Sequence, residues 1–194
     1  MPVMKTLERC PWCGGDALME SYHDKEWGKP VRNDQRIFEF LILEAFQAGL
    51  SWRTILYKRE NFRKAFKGFD PRRVARFTAK DRARLLKDAG IVRNRAKIKA
   101  AITNARLFLE IQKEFGTFSK YAWSWVKGKP IVHRIRTIKD YPVVIPEAEK
   151  WAKDLKQRGF KFLGPTVIYA HMQASGMVND HALGCFRRGQ LLTK

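Results

Sequence analysis

The feature that most constrains this chain is a set of four potential metal ligands divided between its two ends. Cys10 and His23 lie near the start of the chain, and His181 and Cys185 lie near its end. Closely spaced thiolates and imidazoles are typical ligands of a tetrahedral zinc ion. The spacing of His181 and Cys185 is that of one helical turn, which would direct both side chains at one ion. The pattern predicts a zinc site that ties the two ends of the fold together.

A third cysteine leaves the ligand set open. Cys10 and Cys13 form a C-x2-C pair, so five side chains compete for four positions. A redox-active pair is one alternative, although such pairs usually open a helix after a strand, and Pro11 with Gly14 and Gly15 indicates a loop. Inert buried thiols are the other alternative. Three cysteines without a signal peptide favour a reducing compartment, so we expect a cytoplasmic protein.

Charge is the most pronounced property of the composition. The 194 residues include 39 lysines and arginines against 19 aspartates and glutamates, a formal net charge of +20. Such a field attracts polyanions, and each neutralised phosphate of a nucleic acid releases counterions. The charge therefore favours a nucleic-acid partner, with a basic surface that only aids solubility as the alternative. No apolar run reaches the length of a membrane span, so no membrane partner is expected.

The hydrophobic periodicity is helical along nearly the whole chain, which predicts an all-α fold in a single unit of residues 1–194. Val143–Ile145 is the only good strand candidate, and the turn-rich residues 128–146 form the longest connection. Capping residues mark the helix starts. The expected helices follow Asn33, Ser51, Asp70, Thr78 and Asn94, with further helices at about 121–126, 147–158 and 165–175.

Glu44 lies within an otherwise apolar helix that is expected to run from about Gln35 to Gly49. The faces of this helix are apolar all round, which predicts that the helix is buried. A carboxylate in such a place is unfavourable unless a cation or a hydrogen-bond donor meets it. Glu44 is therefore either an ion-pair partner in the core or the carboxylate of a functional site, and we favour the site.

Four aromatic residues are close in sequence to the metal ligands and to Glu44. They are Trp12, Tyr22, Trp27 and Trp52. Each tryptophan alone is most often a core residue. Rings beside a carboxylate, however, form a receptor for a planar cationic ligand through stacking and cation–π attraction. The group as a whole predicts a ligand pocket.

The turn at residues 159–166 is a candidate contact with a nucleic-acid backbone. One helix ends at Gly159 and the next is expected to begin at Pro165, so amides at Gly164 and Thr166 would point outward with the helix dipole behind them. Such a hairpin between helices can bind a phosphate, and Lys161 can add charge. Any tight turn between two helices would look similar, so this motif alone is weak.

The segment from Gln47 to Trp52 is a second candidate contact. Gly49 interrupts the apolar helix, and Leu50 can project as an apolar wedge of the kind that enters the stacked bases of DNA. The alternative is an ordinary helix–helix turn with Leu50 in the core, which the spacing alone favours.

These blocks together resemble the 3-methyladenine DNA glycosylase I family of the helix–hairpin–helix glycosylase superfamily. The similarity runs from Arg9 to about Arg187, and so many ordered blocks exclude chance. The blocks are Arg9–Trp12, Tyr22–Gly28, Leu43–Glu44, Gln47–Trp52, Lys58–Asn61, Phe69–Pro71, Asp88–Ile91, Arg158–Phe162, Asn179–His181 and Cys185.

The resemblance implies a helix–hairpin–helix DNA glycosylase fold with two helical lobes and the base pocket between them. It assigns a structural zinc ion to Cys10, His23, His181 and Cys185, in agreement with the spacing argument. It also assigns the base pocket, whose residues are Trp12, Tyr22, Trp27, Glu44 and Trp52.

The activity that the resemblance implies is excision of 3-methyladenine, and potentially of 3-methylguanine, from alkylated double-stranded DNA by a monomeric enzyme. Base flipping would bring the base to Glu44, the catalytic-site carboxylate, while Gln47 and Leu50 fill the gap. Asp180 is either an electrostatic stabiliser or a residue that orients His181. The alternative function is a zinc-stapled nucleic-acid-binding module without enzymatic activity.

Overall fold

The computed structural model describes residues 7–192, and most of that range is helical, as the sequence predicts. The predicted single unit extends beyond this range at both ends. The α-helices are α1 (Ala17–Lys25), α2 (Asp34–Gln47), α3 (Trp52–Ala65), α4 (Pro71–Ala75), α5 (Ala79–Lys87), α6 (Arg95–Phe115), α7 (Phe118–Ser124), α8 (Pro146–Gln157), α9 (Pro165–Ala174) and α10 (Phe186–Leu192). Three short 3-10 turns cover Pro11–Cys13, Lys67–Phe69 and Ile138–Asp140.

Side-chain caps begin the helices where the sequence places them. Asn33, Ser51, Asp70 and Asn94 each accept a hydrogen bond from a backbone N–H in the first turn of the helix that follows. Thr78 forms a reciprocal capping box at the start of α5. Each cap satisfies N–H groups that have no partner within their own helix. These local signals explain why the helix starts are predictable.

The strand prediction at Val143–Ile145 is wrong. Ile145 is the N-terminal cap of α8, and Val143 is exposed. The strands are instead β1 (Ile131–Val132) and β2 (Val178–Asn179), which pair in parallel. Each spans only two residues, too few for an alternating pattern to be visible in the sequence. Parallel pairing also joins distant segments, and this pair brings the long connection against the C-terminal part of the chain.

Two helices are absent from the sequence prediction. Helix α1 begins after Asp16, whose carboxylate accepts hydrogen bonds from the backbone N–H groups of Leu18 and Met19. Helix α10 follows Cys185. Both helices are short. Helix α1 carries the predicted ligand His23 and α10 directly follows the predicted ligand Cys185, so they determine how the ends of the chain approach each other.

Helix α2 lies in the centre of the fold. Every residue from Ile37 to Phe46 is buried, and the helix packs against α3, α6, α7 and α9. A helix that is covered on all sides has apolar residues on all its faces, as its sequence shows. Glu44 is consequently carried by a helix that is covered on all sides. The predicted division into two lobes stays a prediction. No helix within residues 7–192 combines the length and apolar character needed to cross a membrane.

One carboxylate connects the start of α2 to α7. Asp34 accepts hydrogen bonds from the backbone N–H groups of Phe118 and Ser119 at 2.8 Å each, and from Gln112 Nε2 at 2.6 Å. We expect Asp34→Ala to lower the free energy of unfolding by roughly 2 kcal/mol or more, because the backbone N–H groups of Phe118 and Ser119 at the start of α7 lose their acceptor. Denaturant unfolding followed by circular dichroism measures the change.

Asp70→Ala is the matched control, because the Asp70 carboxylate caps only its own helix, α4. We expect a loss of about 1 kcal/mol there. Equal losses in the two variants would contradict the bridging role of Asp34.

Candidate metal centre and aromatic pocket

The structure brings the four predicted metal ligands together. One ligand atom from each of Cys10, His23, His181 and Cys185 lies within 4.8 Å of all the others, and the four residues are buried. Cys185 Sγ lies 3.4 Å from both His23 Nε2 and His181 Nδ1, and Cys10 Sγ lies 3.5 Å from His181 Nδ1. A tetrahedral zinc ion with ordinary bond lengths would separate sulfur from nitrogen by roughly 3.6 Å. The cluster can therefore hold a metal ion of this kind.

Cys13 lies outside the cluster, which resolves the ambiguity left by the sequence. Its thiol is buried and donates a hydrogen bond to the carbonyl oxygen of Cys10 at 3.2 Å. The expected helical turn between His181 and Cys185 is wrong. These residues form a non-helical turn in which Cys185 N donates to Ala182 O at 2.9 Å. The turn still directs both side chains inward.

Neighbouring groups orient the two imidazoles. His23 Nδ1 lies 2.8 Å from the Asp24 carboxylate, which leaves Nε2 to face the cluster. His181 Nε2 lies 3.2 Å from the carbonyl oxygen of Trp27, which leaves Nδ1 to face it. Partners of this kind fix the tautomer and direction of a ligating histidine. Gly28 is required beside His181, because a Cβ at this position would lie 2.8 Å from Nε2 and the backbone φ is +77°.

The two cluster thiols have opposite proton affinities. A hydrogen bond shared by Cys10 and Cys185 raises the pKa of Cys10 and lowers the pKa of Cys185. The cluster thus favours a thiolate at Cys185, between the two imidazoles. A buried anion and two ring nitrogens form a donor set suited to a cation.

A cavity of about 400 Å³ opens beside the cluster. All five residues of the predicted base pocket line it, and so do two of the predicted DNA contacts, Gln47 and Thr166. The five are Trp12, Tyr22, Trp27, Glu44 and Trp52. The assembly of these residues is the arrangement that the sequence predicts, and their roles in binding remain predictions. The side chains of Tyr141, Tyr169 and Gln173 line the same cavity and were not identified from the sequence.

The aromatic walls of the cavity pack directly on the metal cluster. The rings of Trp12 and Trp27 are 4.9 Å apart between centroids. Trp12 lies 5.5 Å from the His23 ring, and Trp27 lies 4.6 Å from the His181 ring. The other wall is a pair of tilted rings, since Tyr22 lies 5.3 Å from Trp52. One side of the cavity thus takes its shape from the residues that hold the ends of the chain together.

Glu44 meets the cavity without a protein partner. Its side chain is buried, and no residue within 7–192 forms a hydrogen bond or ion pair with it. Burial raises the pKa of Glu44 to about 8. The core ion-pair alternative therefore finds no partner in the described part of the chain. The indole Nε1 atoms of Trp12 and Trp52 are also buried without hydrogen bonds. The carboxyl group is what a polar ligand in the cavity would satisfy, whereas these two indole nitrogens lie beneath the cavity surface.

A second buried carboxylate lies behind the cavity wall. Asp180 accepts hydrogen bonds from the Tyr169 hydroxyl and, at 2.7 Å, from Gln173 Nε2, and it lies 2.7 Å from His133 Nδ1. Its hydrogen bond raises the pKa of His133. Asp180 thus orients two side chains that line the cavity. It does not orient the ring of His181, whose nitrogens face Trp27 O and Cys185 Sγ. The spacing of Tyr169 and Gln173, one turn apart on α9, was the sequence signal for their common face.

The turn after α2 exposes its apolar tip. Leu50 is 43% exposed, so the alternative that places it in the core is wrong. Gly49 has a φ of +78°, and Leu50 N donates to Gln47 O at 2.6 Å. Gln47 lines the cavity, so this turn forms part of the rim.

The hairpin between α8 and α9 is also at the surface. Lys161, Gly164 and Thr166 are exposed, and the N-terminal cap of α9 is Gly164, which has no side chain to satisfy the first amides. Asn104 of α6 holds the hairpin, because its side chain accepts from Lys161 N and donates to Lys161 O, both at 2.9 Å. Thr166 borders the cavity, so the free end of α9 lies at the rim.

Comparisons with known proteins define the class of protein to which this fold and site belong. The methyladenine glycosylase family matches residues 12–188. The chain belongs to this family, as its sequence predicts.

Two relatives and two solved structures show how close the similarity is. DNA-3-methyladenine glycosylase 1 of Escherichia coli (strain K12) is 46% identical over 92% of this chain and 96% of its own length. DNA-3-methyladenine glycosylase of Haemophilus influenzae is 44% identical over 91% of this chain and 96% of its own length. A crystal structure of 3-methyladenine DNA glycosylase I matches with a TM-score of 0.90 and 46% identity over 92% of this chain and 98% of that one. A structure of 3-methyladenine DNA glycosylase I from Staphylococcus aureus, which describes how that enzyme recognises 3-methyladenine, matches with a TM-score of 0.90. Its identity is 38% over 94% of this chain and 97% of that one.

The burial of Glu44 predicts a particular dependence of stability on pH. An unfolded chain releases this proton near pH 4.5, whereas the folded protein retains it up to about pH 8. Folding takes up a proton in this window, so stability falls as the pH rises through it. We expect Glu44→Gln to become more stable than the parent protein by on the order of 3 kcal/mol between pH 4.5 and 8.

Unfolding free energies of the two proteins at half-unit pH intervals test this prediction. A constant difference across the window would show that Glu44 is not a buried unpaired carboxylate in the free protein.

Proposed function

We propose that this protein removes 3-methyladenine from alkylated double-stranded DNA by hydrolysing the N-glycosidic bond. The comparisons confirm the class that the sequence predicts, a DNA repair glycosylase that acts on N-glycosyl bonds. The observation that carries the specific proposal is Glu44, a buried carboxylate without a partner in an aromatic cavity. A binding module without enzymatic activity would not need such a group.

The chemistry of the substrate explains this design. Methylation at N3 makes the base cationic and weakens its glycosidic bond, so the enzyme need not protonate the leaving group. Its tasks are to extrude the nucleotide from the stack, to select the positive charge and to hold the sugar for attack by water. A dry cavity with one unpaired carboxyl group selects a cation, because the charged base stabilises the ionised form of Glu44 and so lowers the pKa that burial has raised.

We assign the base contacts to the walls of the cavity. Glu44 accepts hydrogen bonds from the base, and Tyr22 and Trp52 stack on it, since their rings lie beside one another at the cavity. Trp12 and Trp27 close the side next to the metal cluster. Flat rings on both sides favour a planar cation through stacking and cation–π attraction.

We assign the duplex contacts to the two turns at the rim. Gln47 and Leu50 fill the space that the extruded nucleotide leaves, and Gly49 permits the turn that presents them. The hairpin before α9 binds a phosphate through the amides at Gly164 and Thr166, with Lys161 adding charge. This assignment gives the hairpin the role that defines the helix–hairpin–helix superfamily. The net charge of +20 supplies the general attraction to DNA.

We infer that the metal of the cluster is zinc and that its role is structural. The donor set of two cysteines and two histidines is typical of zinc. Four protein ligands leave no open coordination position for water, so the ion supplies no nucleophile. It joins residues near Cys10 to those near Cys185 and thereby supports the cavity wall. We propose that the enzyme acts as a monomer in the cytoplasm.

The substitution Glu44→Gln tests the proposed function at the carboxylate that would accept hydrogen bonds from the base. The amide preserves the volume but removes the charge-assisted hydrogen bond, which contributes about 1.5–3 kcal/mol. Affinity for free 3-methyladenine, followed by tryptophan fluorescence, should fall roughly ten- to a hundred-fold. Release of the base from methylated DNA should fall less, because a cationic leaving group departs readily once it is extruded.

The control is Glu39→Gln on the same helix. The Glu39 carboxylate forms ion pairs with Arg36 and Arg63 at 2.7 Å each, so its loss should lower stability and preserve base binding. Normal base binding by Glu44→Gln together with a much lower melting temperature would make Glu44 a structural residue and refute the proposed site.

Loss of a cluster thiol tests the metal assignment. We expect one equivalent of zinc per chain in the purified protein, lost in Cys10→Ala and retained in Cys13→Ala, because Cys13 lies outside the cluster. The melting temperature should fall far more in Cys10→Ala, since metal binding contributes directly to folding. Elemental analysis and calorimetry provide the two measurements. Zinc that survives Cys10→Ala and disappears in Cys13→Ala would reverse the ligand assignment.

A further inference from the structure

An ammonium group from another helix holds the C-terminal end of α2. Lys97 Nζ donates to the carbonyl oxygen of Phe46 at 2.9 Å and also to the carbonyl oxygen of Ala48. Lys97 is only 8% exposed, and within residues 7–192 no carboxylate lies at ion-pairing distance from it. Its charge is therefore compensated by backbone carbonyls rather than by an anion.

The position of Lys97 conflicts with two local preferences. It is the third residue of α6 after the cap Asn94, in the first turn, where the positive end of the helix dipole repels a cation. It is also buried, and burial lowers its pKa. Residues that break local rules in a stable fold often serve a site. The compensating benefit lies at α2, whose last turn contains no basic residue of its own.

The two carbonyls that Lys97 binds flank Gln47. Helix α2 ends there, Ala48 leaves the helix with φ −46° and ψ 118°, and Gly49 follows with φ +78°. The chain then presents Leu50 to solvent. The last carbonyls of a helix have no partners within it and are the atoms that a turn must reorganise. The ammonium therefore fixes the direction in which the chain leaves α2.

We infer that Lys97 is a positioning residue that holds the turn of residues 47–50 in the shape that enters duplex DNA. This inference rests on the proposed function, in which Gln47 and Leu50 fill the gap left by the extruded nucleotide. Lys97 does not line the cavity, so it acts on the duplex step through the turn and not on the base. A preorganised turn avoids the entropic cost of ordering Leu50 in each encounter with DNA.

The experiment compares binding to duplex DNA with binding to the free base. The duplex carries a stable abasic analogue and a neighbouring 2-aminopurine, whose fluorescence rises when its stacking is disturbed. In Lys97→Met, the ammonium is lost with little change of length. We expect about a tenfold loss of duplex affinity and a smaller fluorescence rise, corresponding to the loss of a charged hydrogen bond. Affinity for free 3-methyladenine should stay within about twofold, because the base contacts are unchanged.

Three further variants separate positioning from general stability. Arg84→Met is the control, because Arg84 Nη2 also donates to a carbonyl oxygen at the end of a helix, that of Ala65 in α3 at 3.2 Å, although Arg84 is more exposed and pairs with Asp81. It should leave duplex binding unchanged. Lys97→Arg retains a cation with N–H donors and should restore most of the affinity. Lys97→Met combined with Leu50→Ala should bind no more weakly than Leu50→Ala alone, because the turn has then lost the side chain it presents.

Each outcome decides the inference. Equal losses for the duplex and the free base, or equal losses in Lys97→Met and Arg84→Met, would make Lys97 a general structural residue and overturn the proposal. Additive losses with Leu50→Ala would also overturn it. Normal duplex binding by Leu50→Ala alone would refute the proposed role of Leu50, and the inference with it. If Lys97→Met does not fold, Lys97→Gln carries the comparison with a smaller expected loss of duplex affinity, because its amide can still donate to a carbonyl but the charge is gone.

Discussion

The contact between the two ends of the chain is the interaction on which the site depends. Cys10 and His23 meet His181 and Cys185 in one buried cluster, and this contact closes a loop of nearly the whole chain. Closing so long a loop is entropically unfavourable, and without an ion it would leave thiols and imidazoles buried with incomplete partners. The zinc ion that we propose for this cluster would offset both terms. Because Trp12 and Trp27 pack on the ligating rings, the same bonds that close the loop also fix one wall of the cavity.

The fold tolerates the unpaired Glu44 because the helices packed around α2 hold that helix in place. Every residue from Ile37 to Phe46 is buried, and four helices pack against α2. Burial of apolar surface on this scale stabilises the helix by far more than one desolvated carboxylate destabilises it. A loop could not hold such a group in place, since it would turn the carboxylate toward water. The central position of α2 in the core is thus a requirement of the site, and the strain at Glu44 is balanced by packing elsewhere.

The residues predicted from the sequence are those whose chemistry is distinctive by itself. Cysteine and histidine pairs, a glutamate in an apolar helix and clustered tryptophans are visible without a structure. The cysteines and histidines form the cluster, and the glutamate and the tryptophans line the cavity beside it. The features that the sequence prediction missed depend on contacts between distant segments. The pairing of β1 with β2 places His133 beside Asp180. No local sequence pattern predicts this pairing. The expected helical turn at His181–Cys185 failed for a related reason, because tertiary contacts with the N-terminal segment override a local spacing rule.

The movement of charge during the reaction explains why selection and catalysis rest on different parts of the molecule. In the substrate the base is cationic, and the net positive protein repels it unless DNA phosphates accompany it. When the glycosidic bond breaks, its electrons remain with the base, so the positive charge passes from the base to the sugar. The attraction between Glu44 and the base therefore weakens as the bond opens, and a carboxylate placed against the base cannot supply most of the rate enhancement. In the proposed function, Glu44 therefore acts when the base enters the cavity. In this proposal the rate comes from extrusion of the nucleotide, which we assign to the turn after α2 and the hairpin before α9, and from holding the sugar open to water.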